Sequence, residues 1–357
     1  MLTALTFALI LTSAVVVHEL AHFFNARSVG VAVRAFSVGI GPVLARVKWR
    51  GTEWRLSLLP LGGYVDLPGM GPRVDDDGTM HHPDEGMAKL RLLPKLWVLV
   101  GGVIANYVLG SLLLAGAITM QPGFREITGA TVVPQGSVVA RVVPDSNAEH
   151  LGLLNGDRII ALNGQDDPTP EAVIAQVQGA DHLDMVLQRG SQQVTVSTPW
   201  PLGAKESPPL LGIEIGAILP PVSFLTALGE SAAFGIRVVP EMVKGFVSGF
   251  GAAVTGAPNA EVAGPVGMVT LVSQATQVGV ASVLLLAAVI NFSLGVFNLL
   301  PIPGLDGGRM LLATVVAIRG RPFKPGQEEK FHFAGVMLVM GLIVLITFRE
   351  LSALFTS

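Results

Sequence analysis

Apolar residues follow two rhythms along this chain. Residues 1–25, 96–119, 279–300 and 333–355 are apolar almost without interruption. At about 1.5 Å of rise per residue, each stretch is long enough to cross a hydrocarbon layer roughly 30 Å thick. They predict four transmembrane helices. Residues 33–66 alternate instead. Arg46, Lys48 and Arg50 interleave with Val47 and Trp49, and Trp54, Leu56 and Leu58 interleave with Arg55 and Ser57. A period of two about a turn at Gly51-Thr52 predicts a β-hairpin, with glycines 39, 41, 62 and 63 punctuating its ends.

Residues 124–200 contain short β-like runs separated by turns: 130–133, 138–143, 158–162, 185–188 and 193–197. Two short helical pieces, 147–151 and 171–178, lie among them, so the expectation is an inserted α+β domain. Residues 208–255 read as a linker, broken at Pro208-Pro209 and Pro220-Pro221, followed by an amphipathic helix over 223–250. Glu230, Arg237, Glu241 and Lys244 are spaced along that helix, which favours the membrane interface over a span. Residues 67–94, with Asp75-Asp76-Asp77-Gly78, read as a polar loop in which His81 and His82 are solvated. Residues 257–262 form a second loop, 263–268 a rigid turn, and 310–318 a short apolar helix before the fourth span.

Composition sharpens this picture. Half of the 357 residues are hydrophobic and only 14% are charged, against about 25% in soluble domains. That balance fits a multi-span membrane protein with some soluble mass. A net charge of −3 gives no reason to expect nucleic acid as a partner. The chain has no cysteine, so a metal site would have to use His and carboxylate. The first basic residue, Arg27, follows the first apolar run. With Arg34 it places that side in the cytoplasm and the N-terminus outside.

The chemistry starts in the first span. Residues 15–24 read V-V-V-H-E-L-A-H-F-F. On a helix, His18 and His22 project from one face, with Glu19 beside them. This is the H-E-x-x-H arrangement for zinc, with two nitrogen ligands and a carboxylate near the open position. Such groups are costly in a membrane-length apolar segment unless paired or functional. His18 lies about 24 Å along the helix, toward the cytoplasmic side. Asn106 in the second span, and Asn291 and Asn298 in the third, are the other polar groups at membrane depth. After the third span, N-L-L-P-I-P-G-L-D-G-G-R (298–309) stops the helix at Pro301 and Pro303. It turns through the loop 304–308 and sets Asp306 at the same membrane edge. Asp306 is the third ligand by type and depth, or a cap for the helix that follows. His332, at the start of the fourth span, reads as an interfacial residue.

Two resemblances extend this reading. The string V-V-P-D-S-N-A-E-H-L-G-L-L-N-G-D-R-I-I-A-L-N-G (142–164) resembles the signature of PDZ domains of bacterial proteases, which take peptides by strand addition. H-E-L-A-H (18–22), F-S-V-G-I-G-P (36–42), P-L-G-G-Y-V (60–65), G-V-I-A-N (102–106), G-P-V-G (264–267) and N-L-L-P-I-P-G-L-D-G-G (298–308) together resemble the site-2 protease family of intramembrane zinc metalloproteases. The resemblance is specifically to the bacterial group with one extracytoplasmic PDZ domain. One element departs from the family pattern: Gly102 is followed by Val103 rather than proline.

The resemblance implies an α-helical polytopic membrane protein with four transmembrane helices, a membrane-associated β-hairpin over 33–66 and an inserted PDZ-like α+β domain. It implies Zn²⁺ held by His18, His22 and Asp306, Glu19 as the catalytic carboxylate, and Asn106 and Asn298 as substrate-binding or oxyanion-stabilising groups. It implies a multi-pass protein of the inner, cytoplasmic membrane, with the PDZ-like domain outside and the active site near the cytoplasmic face. Its partners would be membrane lipid, a peptide ligand of the PDZ-like domain, and single-span substrates such as anti-sigma factors or remnant signal peptides. Two rival readings remain in the residues. A catalytically silent scaffold with structural zinc would not require Glu19. A metal transporter would need more polar groups along the spans than these asparagines.

Overall fold

The computed structural model describes residues 2–70, 73–74, 80–81, 85–202, 210–255, 264–324 and 326–356. The residues expected as loops at 75–78 and 257–262, together with His82 and Pro208-Pro209, lie outside them. Two compact units emerge: 1–120 joined with 224–357, and the inserted 121–223.

Four helices of the first unit are long and apolar enough to cross a membrane. They are α1 (Leu2–Ser28), α2 (Leu92–Met120), α8 (Val280–Leu299) and α10 (Gln327–Thr356), the last over its residues Gln327–Ser352. They interlock where small residues admit close approach. Phe292 of α8 packs against Gly110 of α2, and the Tyr107 ring packs against Gly295.

Between α1 and α2 lies the hairpin, β1 (Ala35–Trp49) paired antiparallel with β2 (Thr52–Asp66). Its turn is Arg50-Gly51, one residue earlier than the expected Gly51-Thr52. Both turn residues have positive φ, 50° and 84°, as a two-residue type I′ turn demands. Thr52 is instead the first residue of β2, with its buried hydroxyl donating to Val33 O at 2.9 Å. The base of the hairpin is buried. Phe36, Trp54 and Phe23 of α1 pack together, ring centroids 5.1–6.0 Å apart, over Val98 and Leu99 of α2. Its far end exposes Val43, Leu44, Val47 and Trp49 between Arg46, Lys48 and Arg50. Tip residues of this kind fit a surface that is apolar beneath and charged above. A short ladder, β3 (Arg73–Val74) with β4 (Met80–His81), follows.

Residues 223–250 do not form one helix. Two form, α5 (Phe224–Arg237) and α6 (Val239–Thr255). Pro240 sits in the first turn of α6, where its missing N–H costs nothing but bars continuation from α5. Nor is α5 merely interfacial. Ala227, Ser231 and Gly235 form a buried small-residue stripe, and Gly235 lies against the Phe292 ring. The expected rigid turn 263–268 opens a further helix, α7 (Pro265–Val278), with Pro265 at its first position. After α8 the chain reverses into α9 (Asp306–Arg319).

The inserted unit is a sheet ordered β10-β5-β6-β8-β9, with β7 (Gln165–Asp166) paired to β6. Its strands are β5 (Ser137–Val142), β6 (Arg158–Leu162), β8 (His182–Arg189), β9 (Gln192–Pro199) and β10 (Ile213–Ala217). The helices α3 (Asn147–His150) and α4 (Pro170–Gly179) complete it. Alternate residues Leu183, Met185 and Leu187 enter a core with Val139, Ile159, Leu162, Val173 and Trp200. The unit therefore extends past residue 200. β10, within the stretch expected as linker, pairs with β5.

Candidate metal centre

Three ligand-type atoms from two distant segments meet at one point. His18 Nε2 lies 3.0 Å from Asp306 Oδ2, His22 Nε2 lies 3.1 Å from it, and the two Nε2 atoms are 3.1 Å apart. The imidazole rings stand nearly perpendicular, at 83°. Both histidines are buried, and the Asp306 side chain is only 13% exposed. Among the described residues this is the only group of three or more His, Cys, Asp or Glu whose ligand atoms converge.

Each part of the cluster is positioned by local structure. The i, i+4 spacing on α1 stacks His22 one turn above His18. His22 Nδ1–H donates to Val98 O of α2 at 2.8 Å. That bond fixes the tautomer and leaves Nε2 as a lone pair aimed at the centre. The His18 ring lies flat on α2 at Gly102, where any Cβ would collide with the imidazole. One turn on, the fully buried Asn106 amide lies 3.2 Å from His18 Nδ1, and its Oδ1 has no partner. A half-turn of the amide puts Oδ1 on His18 Nδ1–H. The orphan is then satisfied, and His18 Nε2 also becomes a lone pair.

Asp306 arrives by a different route. The chain leaves α8 at Leu300 and turns through Gly304 (φ 92°). The first turn of α9 is then tucked under the end of α8. A Cβ at Gly307 would strike the Leu299 and Leu300 carbonyls, and one at Gly308 the Ile302 carbonyl. Leu305 is the N-cap of α9 and Asp306 its first residue, with no side-chain cap. The carboxylate faces the histidines instead of capping the helix.

Glu19 stands beside the cluster. Its Oε2 accepts from Val65 N–H at 3.0 Å, so the end of β2 orients the carboxylate. Asn298 is not joined to the centre by a hydrogen bond among the described residues. Its Nδ2 donates to Leu294 O one turn back. Asn291 does the same to Ala287 O, leaving Oδ1 unpartnered.

Two imidazole lone pairs and a carboxylate oxygen repel one another unless a cation lies between them. Their spacing is within a few tenths of an ångström of the roughly 3.3–3.4 Å separating ligands on one tetrahedral zinc. With both distal nitrogens engaged elsewhere, the donor set fits Zn²⁺.

The sequence patterns marked Gly102 through G-V-I-A-N but not its contact with His18, and they did not single out three features of this unit: the Val65 N–H that holds Glu19, Arg309 one turn after Asp306, and Glu350. Glu350 on α10 accepts from the backbone N–H groups of Gly264, Val266 and Gly267 at 2.7–3.0 Å. A carboxylate within the fourth apolar run was the available signal for it.

The chain is similar to known proteins along nearly its whole length. The family model described as "Peptidase family M50" matches residues 6–342. "Putative zinc metalloprotease Atu1380" of Agrobacterium fabrum is 31% identical, over 98% of this chain and 95% of the relative. "Putative zinc metalloprotease CPE1693" of Clostridium perfringens is 30% identical, over 97% of each chain. "Probable protease eep" of Enterococcus faecalis is 26% identical, over 99% of this chain and the whole of the relative.

Proposed function

The chain belongs to peptidase family M50, the site-2 proteases, and is a zinc metalloprotease; we propose that it hydrolyses peptide bonds of single-span membrane proteins within the membrane. The substrates would be regulatory proteins such as anti-sigma factors, or remnant signal peptides. The observation that carries this reading is the convergence of His18 Nε2, His22 Nε2 and Asp306 Oδ2 within 3.1 Å, with a backbone-held Glu19 alongside.

His18, His22 and Asp306 would hold the zinc. When bound, zinc supplies Lewis acidity that makes a water nucleophilic at neutral pH and polarises a peptide carbonyl. Glu19 takes the proton from the attacking water and returns it to the leaving nitrogen. Its hydrogen bond from Val65 keeps one oxygen fixed while the other faces the reaction. Asn106 serves the centre through His18, by holding that ring in the ligating tautomer. Asn298 completes the polar lining. A substrate helix must unwind before its amides are exposed, and strand pairing with the 33–66 hairpin offers that route. The same hairpin carries Val65, so substrate alignment and Glu19 orientation share one element.

The inserted unit 121–223 acts as a PDZ-like domain on the extracytoplasmic side, admitting substrates already trimmed outside. The protein resides in the cytoplasmic membrane, with the metal centre near the cytoplasmic face.

The test is co-expression of a tagged single-span candidate with wild type, Glu19→Gln and Asp306→Ala. Cleavage by wild type alone is expected, with Glu19→Gln slowed by about 10²–10⁴-fold. Equal cleavage in all three sinks the assignment. Zinc content separates the roles: His22→Ala should lose the metal and Glu19→Gln should keep it.

A further inference from the structure

A cavity of about 630 Å³ lies in the membrane unit, away from the converging ligand atoms. Three cationic side chains from three elements line it: Lys95 of α2, Arg309 of α9, and Lys324 of the segment before α10. Among the described residues none of the three side chains makes a hydrogen bond or ion pair. Arg309 is half-buried and feels Asp306 and Glu19 only at a distance. An unpaired guanidinium in an apolar setting is costly and calls for an anion.

The rest of the lining narrows the anion. Glu328 and Glu329 also border the cavity, so it is not simply a basic sink. Glu329 already has a partner within the protein. His332 Nδ1 accepts from Gly304 N–H at 3.0 Å. That makes the ring neutral with its proton on Nε2, which adds one neutral donor. Leu99, Val316 and Phe333 supply an apolar wall, for which a small inorganic anion has no use. Lys95 opens the second span, and Lys324 and Phe333 flank the start of the fourth. The cavity therefore sits at the basic end of the spans, where an apolar interior meets headgroups. Basic pockets between membrane helices at that level take lipid phosphates.

We propose that this cavity binds the phosphate headgroup of an anionic phospholipid, with Arg309, Lys95 and Lys324 around the phosphate and the acyl chains against the apolar wall. The site is separate from the protease reading, because it uses none of the residues assigned to zinc or proton transfer.

Native mass spectrometry of the full chain tests it, comparing phosphatidylglycerol with phosphatidylcholine of identical acyl chains. Phosphatidylglycerol should stay bound at collision energies that strip phosphatidylcholine. Retention should fall about fivefold for each cation removed, in Arg309→Gln and Lys324→Gln. Arg141→Gln, on an exposed strand of the inserted unit where Arg141 pairs with Glu214, should leave it unchanged. If Arg309→Gln does not fold, as judged by lost zinc, the Lys95→Gln/Lys324→Gln double variant decides. Equal retention of the two lipids overturns the proposal, as does a loss as large in Arg141→Gln. Complete displacement by millimolar inorganic phosphate overturns it too, by making free phosphate the ligand. All these readouts are independent of proteolysis.

Discussion

Two buried carboxylates, one in each unit of the molecule, have opposite meanings. Asp157 in the inserted unit is 1% exposed and fully answered. Arg189 grips it with two bonds, Nε to Oδ1 at 2.8 Å and Nη2 to Oδ2 at 2.7 Å, and Leu154 N–H donates to Oδ2 at 2.9 Å. Every lone pair that matters has a donor, and the group holds a turn to a strand. Asp306 in the membrane unit faces two histidine nitrogens: the His22 proton is committed to Val98 O, and the His18 proton to Asn106 Oδ1 once that amide is turned. It is surrounded by acceptors. A carboxylate answered by donors is architecture, whereas one set among imidazole lone pairs is part of a ligand set for a cation.

The isosteric change to asparagine separates the two roles. In Asp306→Asn the site loses its one anionic ligand. Zinc affinity should fall by well over the roughly 10–100-fold typical of outer-shell changes, and cleavage should drop to background. Metal analysis of the purified full chain, alongside substrate cleavage, reads both. Full zinc occupancy in Asp306→Asn would erase the distinction from Asp157.

How far each region could be read from the sequence follows from the same contrast. In the spans polar residues are expensive, so each one is a signal. His18, Glu19, His22, Asn106 and Asp306 stand out against their apolar background, and H-E-x-x-H has a fixed helical geometry. The partners that are backbone groups leave no such mark. Val98 O, Val65 N–H and the glycine platform at 102 depend on which faces meet. That is set by packing between segments 46 to 84 residues apart in the chain. The α5–α6 break was hidden for a related reason. Pro240 marks a break only if the helix is already running there, and a small-residue stripe such as Ala227, Ser231 and Gly235 reads as weakly amphipathic until a partner helix is known. In the inserted unit polar residues are cheap, and the strands were legible from alternation and turns. β10 escaped because I-E-I-G-A is short and lies beyond a proline-rich stretch. Its pairing with β5 is a long-range contact.

A smaller effect probes the second layer of the centre. Asn106→Leu keeps the volume but removes the amide from His18 Nδ1. The ring is then free to change tautomer and to tilt off Gly102. Zinc affinity should fall about 10–100-fold, with substrate cleavage following in parallel when zinc is limiting and recovering when it is in excess. A variant that loses activity while keeping wild-type zinc affinity would instead tie Asn106 to the substrate directly.

The smallest effect belongs to the other carboxylate and should be confined to the inserted unit. In Asp157→Asn one of the two Arg189 bonds faces an amide N–H, and the charge pair is gone. Because Arg189 is a third exposed, solvent screens part of the loss, and about 1–3 kcal/mol of local stability is expected. Zinc content should not change. The wild-type pair also carries a pH signature. The bond from Arg189, helped by Leu154 N–H, holds the Asp157 carboxyl below its ordinary value, and burial opposes the shift. A depressed carboxylate stabilises the fold fully above its unfolded pKa, near pH 4, and that contribution is lost as pH falls through the lower folded value. Limited proteolysis of residues 121–223 in the full chain should therefore accelerate below about pH 4 in wild type. Asp157→Asn should start faster at neutral pH and show a shallower acid dependence. Identical acid profiles for the two would show that Asp157 is not the group whose protonation loosens the sheet.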